Sequence, residues 1–270
     1  VPDGVGIDGG EGDDAIEVSG VLGSIAIVGG EGSNTIDVSD TTGSVEVNGV
    51  EGGVDVIDIS KVASSVNVYS GPGGDEINIS ASEDALVYSG DGADQIALSE
   101  VDRGEVYAGS GDDQVTVNNV GKSSILGEKG NDTIQAFNGI NDTIFGGTGE
   151  DNIHASGSRN LLLGGYKTDD ITAGDGLGSI LVAGRKIPGR VIAFLKNYEV
   201  GSGSGNRSAE PPAVAGLLDE LEADGDNIGD LEPNLDWNDV LKSGNGSDIL
   251  IASNGANNLI GGSGNDTLFG

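Results

Sequence analysis

The chain has 270 residues, of which 50 are Gly, 45 are acidic, 12 are basic and none is Cys, so its formal charge is −33. Only 4% of the residues are aromatic, which leaves few bulky side chains for a thick core and favours a thin fold. The charge argues against nucleic acid or an anionic lipid surface as the main partner, because both would be repelled. No apolar run approaches the roughly 20 residues of a membrane span, so we expect no membrane insertion.

Residues 1–136 form a repeat with a period of about 20 residues, and each repeat opens with a glycine-rich turn. Two short segments of alternating apolar and polar residues follow each turn, which predicts two strands per repeat. The turns begin at Gly9, Gly29, Gly49, Ser70, Ser89, Ala108 and Gly127. Alternation places one aliphatic residue of every repeat on the same side of its strand: Ile16, Ile36, Ile57, Ile77, Ile96, Val115 and Ile134.

The repeat changes after residue 136. Over 137–184 the period halves to nine residues, and the same nine-residue pattern returns over 243–270. Residues 185–242 interrupt it with a predicted strand, a flexible linker, a short helix and an acidic loop. Two interpretations of this insertion stay open: a docking element for an acidic neighbour, or a segment that covers the chain's own rod.

These patterns predict an all-β fold, a parallel β-roll or β-helix solenoid in which successive coils stack about 4.8 Å apart. The aliphatic positions would form continuous columns inside a flattened tube. Counting the half-repeats gives about eleven coils and a rod on the order of 50 Å long.

The glycine-rich turns also carry a recurring carboxylate. Calcium takes six to eight hard oxygen ligands, and such a turn supplies backbone carbonyls together with an Asp at its sixth position. The alternative is that these turns are solvated corners, because Asp and Gly are common turn residues.

The pattern Gly-Gly-x-Gly-x-Asp-x-aliphatic-x resembles the calcium-binding nonapeptide repeat of the RTX, or haemolysin-type, proteins. It is matched at every fixed position by residues 9–17 and 261–269, and again from Gly146 to Ile153. The resemblance covers roughly 1–184 and 243–270. It implies a β-roll that binds several calcium ions between stacked turns.

Carried over position by position, the resemblance identifies acidic ligands and two weaker amide replacements. The carboxylates are Asp14, Asp55, Asp75, Asp94, Asp113, Asp132, Asp142, Asp151, Asp169, Asp248 and Asp266; the amides are Asn34 and Asn257. The turn glycines of these candidate sites are Gly9, Gly10, Gly12, Gly29, Gly32, Gly146, Gly149, Gly261 and Gly264. In the first seven coils the opposite turns lack the motif, so we expect calcium along one edge up to about residue 136 and along both edges beyond it.

Three classes of function remain open. The first is a non-enzymatic, calcium-dependent structural or spacer region of a secreted or cell-surface bacterial protein, such as an adhesin, surface-layer or matrix-fibre component, with self-assembly or lateral packing between copies. The second is the calcium-dependent folding and secretion module of a type I-secreted enzyme or toxin whose catalytic domain lies outside these residues. The third, a β-helix enzyme acting on polysaccharide, is disfavoured because the sequence offers one His and no nucleophile–base constellation.

Overall fold

The computed structural model describes residues 4–174, 179–183, 238–252 and 256–269. They form a parallel β-solenoid of about 11 turns, which confirms the predicted fold class and number of coils. The part of the chain that the structure describes consists of strands and turns, with no helix. It accordingly holds no helix long and apolar enough to cross a membrane.

Each coil contributes one strand to each of two faces, and every strand pairs in parallel with the equivalent strand of the next coil. The first face contains β2 (Ala15–Ser19), β4 (Thr35–Thr41), β9 (Gln114–Asn118), β11 (Thr133–Ile140), β13 (Asn152–Ser158), β15 (Asp170–Ala173), β17 (Val240–Lys242) and β20 (Asn258–Ile260). The second face contains β1 (Gly4–Asp8), β3 (Ser24–Glu31), β5 (Val45–Glu51), β10 (Ser124–Lys129), β12 (Thr143–Thr148), β14 (Leu161–Tyr166), β16 (Ile180–Val182), β19 (Ile249–Ile251) and β22 (Thr267–Phe269).

Three long strands bend around one edge and belong to both faces: β6 (Val56–Tyr69), β7 (Glu76–Tyr88) and β8 (Gln95–Ser110). A short pair, β18 (Asn245–Gly246) with β21 (Ser263–Gly264), lies at the same edge near the C-terminal end. We call this the second edge, where the chain passes from the first face to the second. At the first edge it passes from the second face to the first.

The core is a set of aliphatic columns between the two faces. Ile36 pairs in register with Ile57, which pairs with Ile77, and all three side chains are fully buried. Most neighbouring outward positions on these strands are polar, as at Asp37, Asp58 and Asn78, so period-two alternation sorts the residues between interior and solvent. Because each coil buries its apolar side chains mainly against the coils above and below, stability depends on stacking.

The second edge turns without the glycine motif in the first coils. Its corner residues have positive φ although they are not glycine: Asp40, Lys61, Ala81, Glu100, Asn119 and Asn138. A left-handed residue with a Cβ costs about 1–2 kcal/mol. The residue after the corner is buried in several coils, as at Thr41, Val62 and Val101. The interior packing of that next side chain offsets the strain.

One predicted boundary changes. The sequence pattern predicts an insertion that ends at residue 242, but Val240–Lys242 pairs with both β15 and β20. Residues 238–242 therefore belong to the solenoid, because their alternation continues the columns on both sides. Residues 184–237, where the predicted strand, linker, helix and acidic loop fall, lie outside the described residues.

Candidate metal centre

The sixth-position residues of the first-edge turns stack into one column, which we call the first ladder. In each pair the backbone N–H of one residue donates to the side-chain Oδ1 of its equivalent in the next coil, over 2.8–3.1 Å. The column runs through Asp14, Asn34, Asp55, Asp75, Asp94, Asp113, Asp132, Asp151, Asp169, Asp239 and Asn257. From Asp55 onward, one carboxylate oxygen of each Asp residue in the column thus caps a backbone donor that the turn would otherwise leave unpaired.

In many of the ladder residues the second carboxylate oxygen has no hydrogen-bond partner. Oδ2 is buried and unpaired in nine of the described Asp side chains: Asp14, Asp75, Asp94, Asp113, Asp132, Asp142, Asp151, Asp169 and Asp248. Native structures seldom leave buried polar atoms without a partner, so the same unpaired oxygen repeated from coil to coil fits a ligand-binding position. An anionic oxygen calls for a cation or a proton there.

Asn34 shows what this orphan oxygen faces. Its Nδ2 donates to the carbonyl oxygen of Gly32 in the same turn, over 3.3 Å. A Cβ built on Gly29, the first glycine of its turn, would lie 3.1 Å from Asn34 Nδ2. A Cβ built on Gly9, the equivalent glycine one coil earlier, would lie 2.8 Å from Asp14 Oδ2. The amide nitrogen and the carboxylate oxygen therefore occupy the same place. In the Asp turns this arrangement directs a carboxylate oxygen toward a backbone carbonyl, and a cation between two acceptors resolves the conflict.

The turn glycines are required by close approach. A Cβ on Gly127, Gly146 or Gly164 would lie 2.2–2.4 Å from the Oδ2 of that turn's own Asp. A Cβ on Gly149 would lie 1.6 Å from the carbonyl oxygen of Gly130 in the preceding coil. Glycine thus keeps open the space where carboxylate and carbonyl oxygens converge.

A second ladder lies at the second edge, in the part of the chain with the nine-residue period. The N–H and hydroxyl of Ser123 both donate to Asp142 Oδ1, and Asp142 N–H donates to Asn160 Oδ1. Farther along, Ser179 N–H donates to Asp248 and Asp248 N–H donates to Asp266. The turn of Gly261 and Gly264 carries Asp266. The described carboxylates of this ladder therefore begin at Asp142, and the earlier coils have ladder carboxylates at the first edge only.

The structure brings the predicted sixth-position residues together in the two ladders, including Asp55, whose turn is irregular. The turn before Asp55 has one extra residue, yet Asp55 accepts from Asn34 N–H at 2.8 Å and donates to Asp75 at the same distance. Gly9, Gly10, Gly12, Gly29 and Gly32 lie in the first two turns of the same edge. The ligand role of each residue stays a prediction.

Two ladder members, Asp239 and Asn160, are not among the residues predicted from the sequence. Asp239 accepts from Asp169 N–H at 3.1 Å, and its own N–H donates to Asn257 at 2.8 Å. A signal was present, because residues 238–241 read Asn-Asp-Val-Leu, much like the Asn-Asp-Thr-Ile at 131–134. The glycines that precede this signal elsewhere are absent before Asp239, which concealed the match.

Burial dominates the electrostatics of the ladders. Loss of solvation raises the pKa of Asp113 to about 7, of Asp132 to about 6, of Asp151 to about 7 and of Asp169 to about 8, against the opposing effect of the N–H bond that each accepts. The same cause raises the pKa of Asp55, Asp94, Asp142 and Asp248. Without a bound cation, burial therefore makes these carboxyls easier to protonate in the folded chain than in the unfolded chain.

The raised pKa values determine how the stability of the calcium-free chain depends on pH. In chelator, the folded chain binds more protons than the unfolded chain between about pH 4 and pH 8, so stability present below about pH 4 is lost as the pH rises through about 6–8. We expect acidification from about pH 8 to 5.5 to raise the β-signal and melting temperature of the calcium-free chain. Circular dichroism melts in chelator measure both. A calcium-free chain that is equally stable at the two pH values would contradict the burial of these carboxyls with raised pKa values.

The arrangement suits a hard divalent cation held mainly by backbone. Within the described ranges, no three carboxylate or imidazole side chains form a metal-binding group. Each turn instead offers one carboxylate oxygen and its own carbonyls, so two stacked turns together supply the oxygen-rich set that calcium prefers. When bound, the ion would neutralise the buried carboxylates and join neighbouring coils.

Comparison with known families agrees with this chemistry. The model of the RTX calcium-binding nonapeptide repeat matches residues 117–149, 138–165 and 238–270. Searches of curated proteins and of solved structures gave no match. The matched segments contain carboxylates of both ladders, including Asp132, Asp142 and Asp239.

Proposed function

We propose that this calcium-binding RTX-repeat protein, which folds as a parallel β-solenoid, serves as a structural or spacer region of a secreted or cell-surface bacterial protein. RTX repeats are typical of secreted bacterial proteins. In this proposal the chain is not an enzyme: calcium converts it from an expanded polyanion into a rod outside the cell.

The observation that carries the proposal is the continuity of the first ladder. It links the coils from Asp14 to Asn257 with the same bond geometry. Ions distributed along such a column would brace the whole length of the rod, which is what a spacer requires. The chain carries a formal charge of −33, so self-repulsion opposes compaction until divalent ions bind.

The alternative is a calcium-dependent folding and secretion module attached to an enzyme or toxin. Calcium-triggered folding serves that role equally well, because free calcium is scarce in the cytosol and abundant outside. The two roles differ in mechanical demand: a spacer must resist stretching along the rod, whereas a secretion module must help an attached domain to fold.

Force spectroscopy on the chain held by its two ends separates these roles. The spacer proposal expects stepwise unfolding events in millimolar calcium and a smooth extension without such events in chelator, where the chain is expanded. Fusion of the chain to a slow-folding enzyme provides the second arm. Faster recovery of enzyme activity with calcium, combined with extension curves that calcium does not change, would favour the secretion module and overturn the spacer proposal.

A further inference from the structure

The outer side of the second face carries a column of three tyrosines. Tyr69 and Tyr88 stack with ring centroids 5.3 Å apart, and Tyr88 and Tyr107 stack at 4.4 Å, with interplanar angles of 4° and 7°. Tyr69 and Tyr88 are more than a third exposed. Because the rings cover one another's faces, this column presents ring edges and hydroxyl groups to solvent rather than a flat aromatic platform.

A shallow cavity of about 200 Å³ lies beside this column in the same three coils. It is lined by Asn67, Asp84, Ala85, Leu86, Arg103 and Glu105. Asn67, Leu86 and Glu105 pair in register across three neighbouring strands, two residues before each tyrosine. Side chains two apart on a strand share a face, so the tyrosine column borders the cavity.

The polar groups of this cavity are held in place. Arg103 donates from Nε to Asp84 Oδ1 at 2.7 Å and from Nη2 to Asp84 Oδ2 at 2.6 Å. Such a two-pronged pair fixes the planar guanidinium and leaves other N–H groups to donate outward. Asn67 adds a donor and an acceptor, and Glu105 adds an acceptor. Leu86, which is half-buried, provides an apolar floor.

The charges of the lining select the ligand. An anion would meet Glu105 and the overall charge of −33, and Arg103 is already neutralised by Asp84. A ligand that uses this lining carries hydroxyl groups for the donors and acceptors and an apolar side for Leu86. The volume falls below the roughly 300–1,000 Å³ of pockets for drug-sized ligands, so the cavity takes no more than a single ring. We propose that this cavity binds one pyranose ring of a neutral polysaccharide.

The test is binding of neutral oligosaccharides to the calcium-loaded chain. Soluble mannose, glucose, galactose and xylose oligomers are titrated while protein NMR shifts or heats are recorded, with an oligouronate as the anionic probe. We expect at least one neutral oligomer to bind, and the oligouronate not to bind. Leu86→Asp should weaken that binding at least tenfold, because it places a charge on the apolar floor, and Arg103→Ala should weaken it as well.

Thr116→Asp is the matched control, because Thr116 points outward on the opposite face. It should leave binding unchanged, and the calcium concentration needed for folding should stay the same in Leu86→Asp, which separates loss of the ligand from loss of the fold. The proposal is overturned if no neutral oligomer binds at millimolar concentration, if the oligouronate binds equally well, or if Leu86→Asp and Thr116→Asp behave alike.

Discussion

Gly111→Ala is expected to destabilise the calcium-loaded solenoid by more than about 3 kcal/mol, because severe overpacking at a buried backbone contact allows little relaxation. A Cβ on Gly111 would lie 1.5 Å from the carbonyl oxygen of Gly92 and 2.4 Å from its carbonyl carbon. Its φ of +152° is also one that other residues rarely adopt. Both obstacles are backbone, so no side chain can move aside, and the coils must separate at this turn. Denaturant unfolding in saturating calcium measures the loss.

Two matched substitutions distinguish steric crowding from backbone strain as causes of the lost stability. Gly6→Ala adds a Cβ that meets nothing within 4 Å and should be nearly neutral. Gly52→Ala also meets nothing within 4 Å but has a φ of +69°, so it should cost only about 1–2 kcal/mol. A loss in Gly111→Ala no larger than in Gly52→Ala would mean that the coils are not stacked as closely as described.

Replacing Asp94 and Asp113 together is expected to change stability in opposite directions with and without calcium. Asn in both places keeps the Oδ1 acceptors that cap the N–H groups of Asp75 and Asp94. It also removes two buried charges and, as at Asn34, places a donor where the orphan oxygen was. The Asn pair should therefore hold more β-structure than the native chain in chelator at pH 8. It should need more calcium to fold, because each lost ion forfeits about 2.7 kcal/mol at 100 times its dissociation constant.

The Ala pair separates the two roles of the carboxylate. Ala removes the acceptor as well as the charge, and each backbone N–H left unpaired costs about 1–3 kcal/mol. The Ala pair should be the least stable variant in calcium and less ordered than the Asn pair in chelator. Thr116→Ala, on an outward position of the next strand, should match the native chain. Calcium midpoints that are equal for native, Asn and Ala chains would exclude these carboxylates as ligands.

The stacking of the solenoid could be predicted because the sequence repeats its alternation. A buried column such as Ile36, Ile57 and Ile77 needs only a period of about 20 residues and an apolar residue at the same point of each coil. Most turn glycines could be predicted for the same reason, because they recur at the same point of each coil, although Glu128 stands in register with Gly109 and Gly147 at one such position.

The corners of the second edge could not be predicted in this way. Lys61 and Glu100 take positive φ without any glycine to indicate it, since the strain is offset by the interior packing of Val62 and Val101. Such compensation depends on neighbours in other coils, which local composition does not report.

The capping role of the Asp side chains could not be predicted from the sequence either. The motif indicates a carboxylate for a cation, but only the structure divides it into one oxygen that accepts a backbone N–H and one that is left for a ligand. Asp239 illustrates the limit, because its place in the column depends on Asp169, which is 70 residues away in sequence.

The most direct test of the calcium-dependent fold is a titration from chelator into calcium, followed by far-ultraviolet circular dichroism and small-angle scattering at neutral pH. We expect a cooperative gain of β-signal as calcium rises, while the radius of gyration falls from about 58 Å toward about 20 Å, the values expected for an unfolded and a folded chain of this length. Magnesium at the same concentrations should not produce this change, because it demands a tighter octahedral geometry. An unchanged β-signal, radius and melting temperature in chelator would contradict the account, since the buried carboxylates would then be stable without an ion.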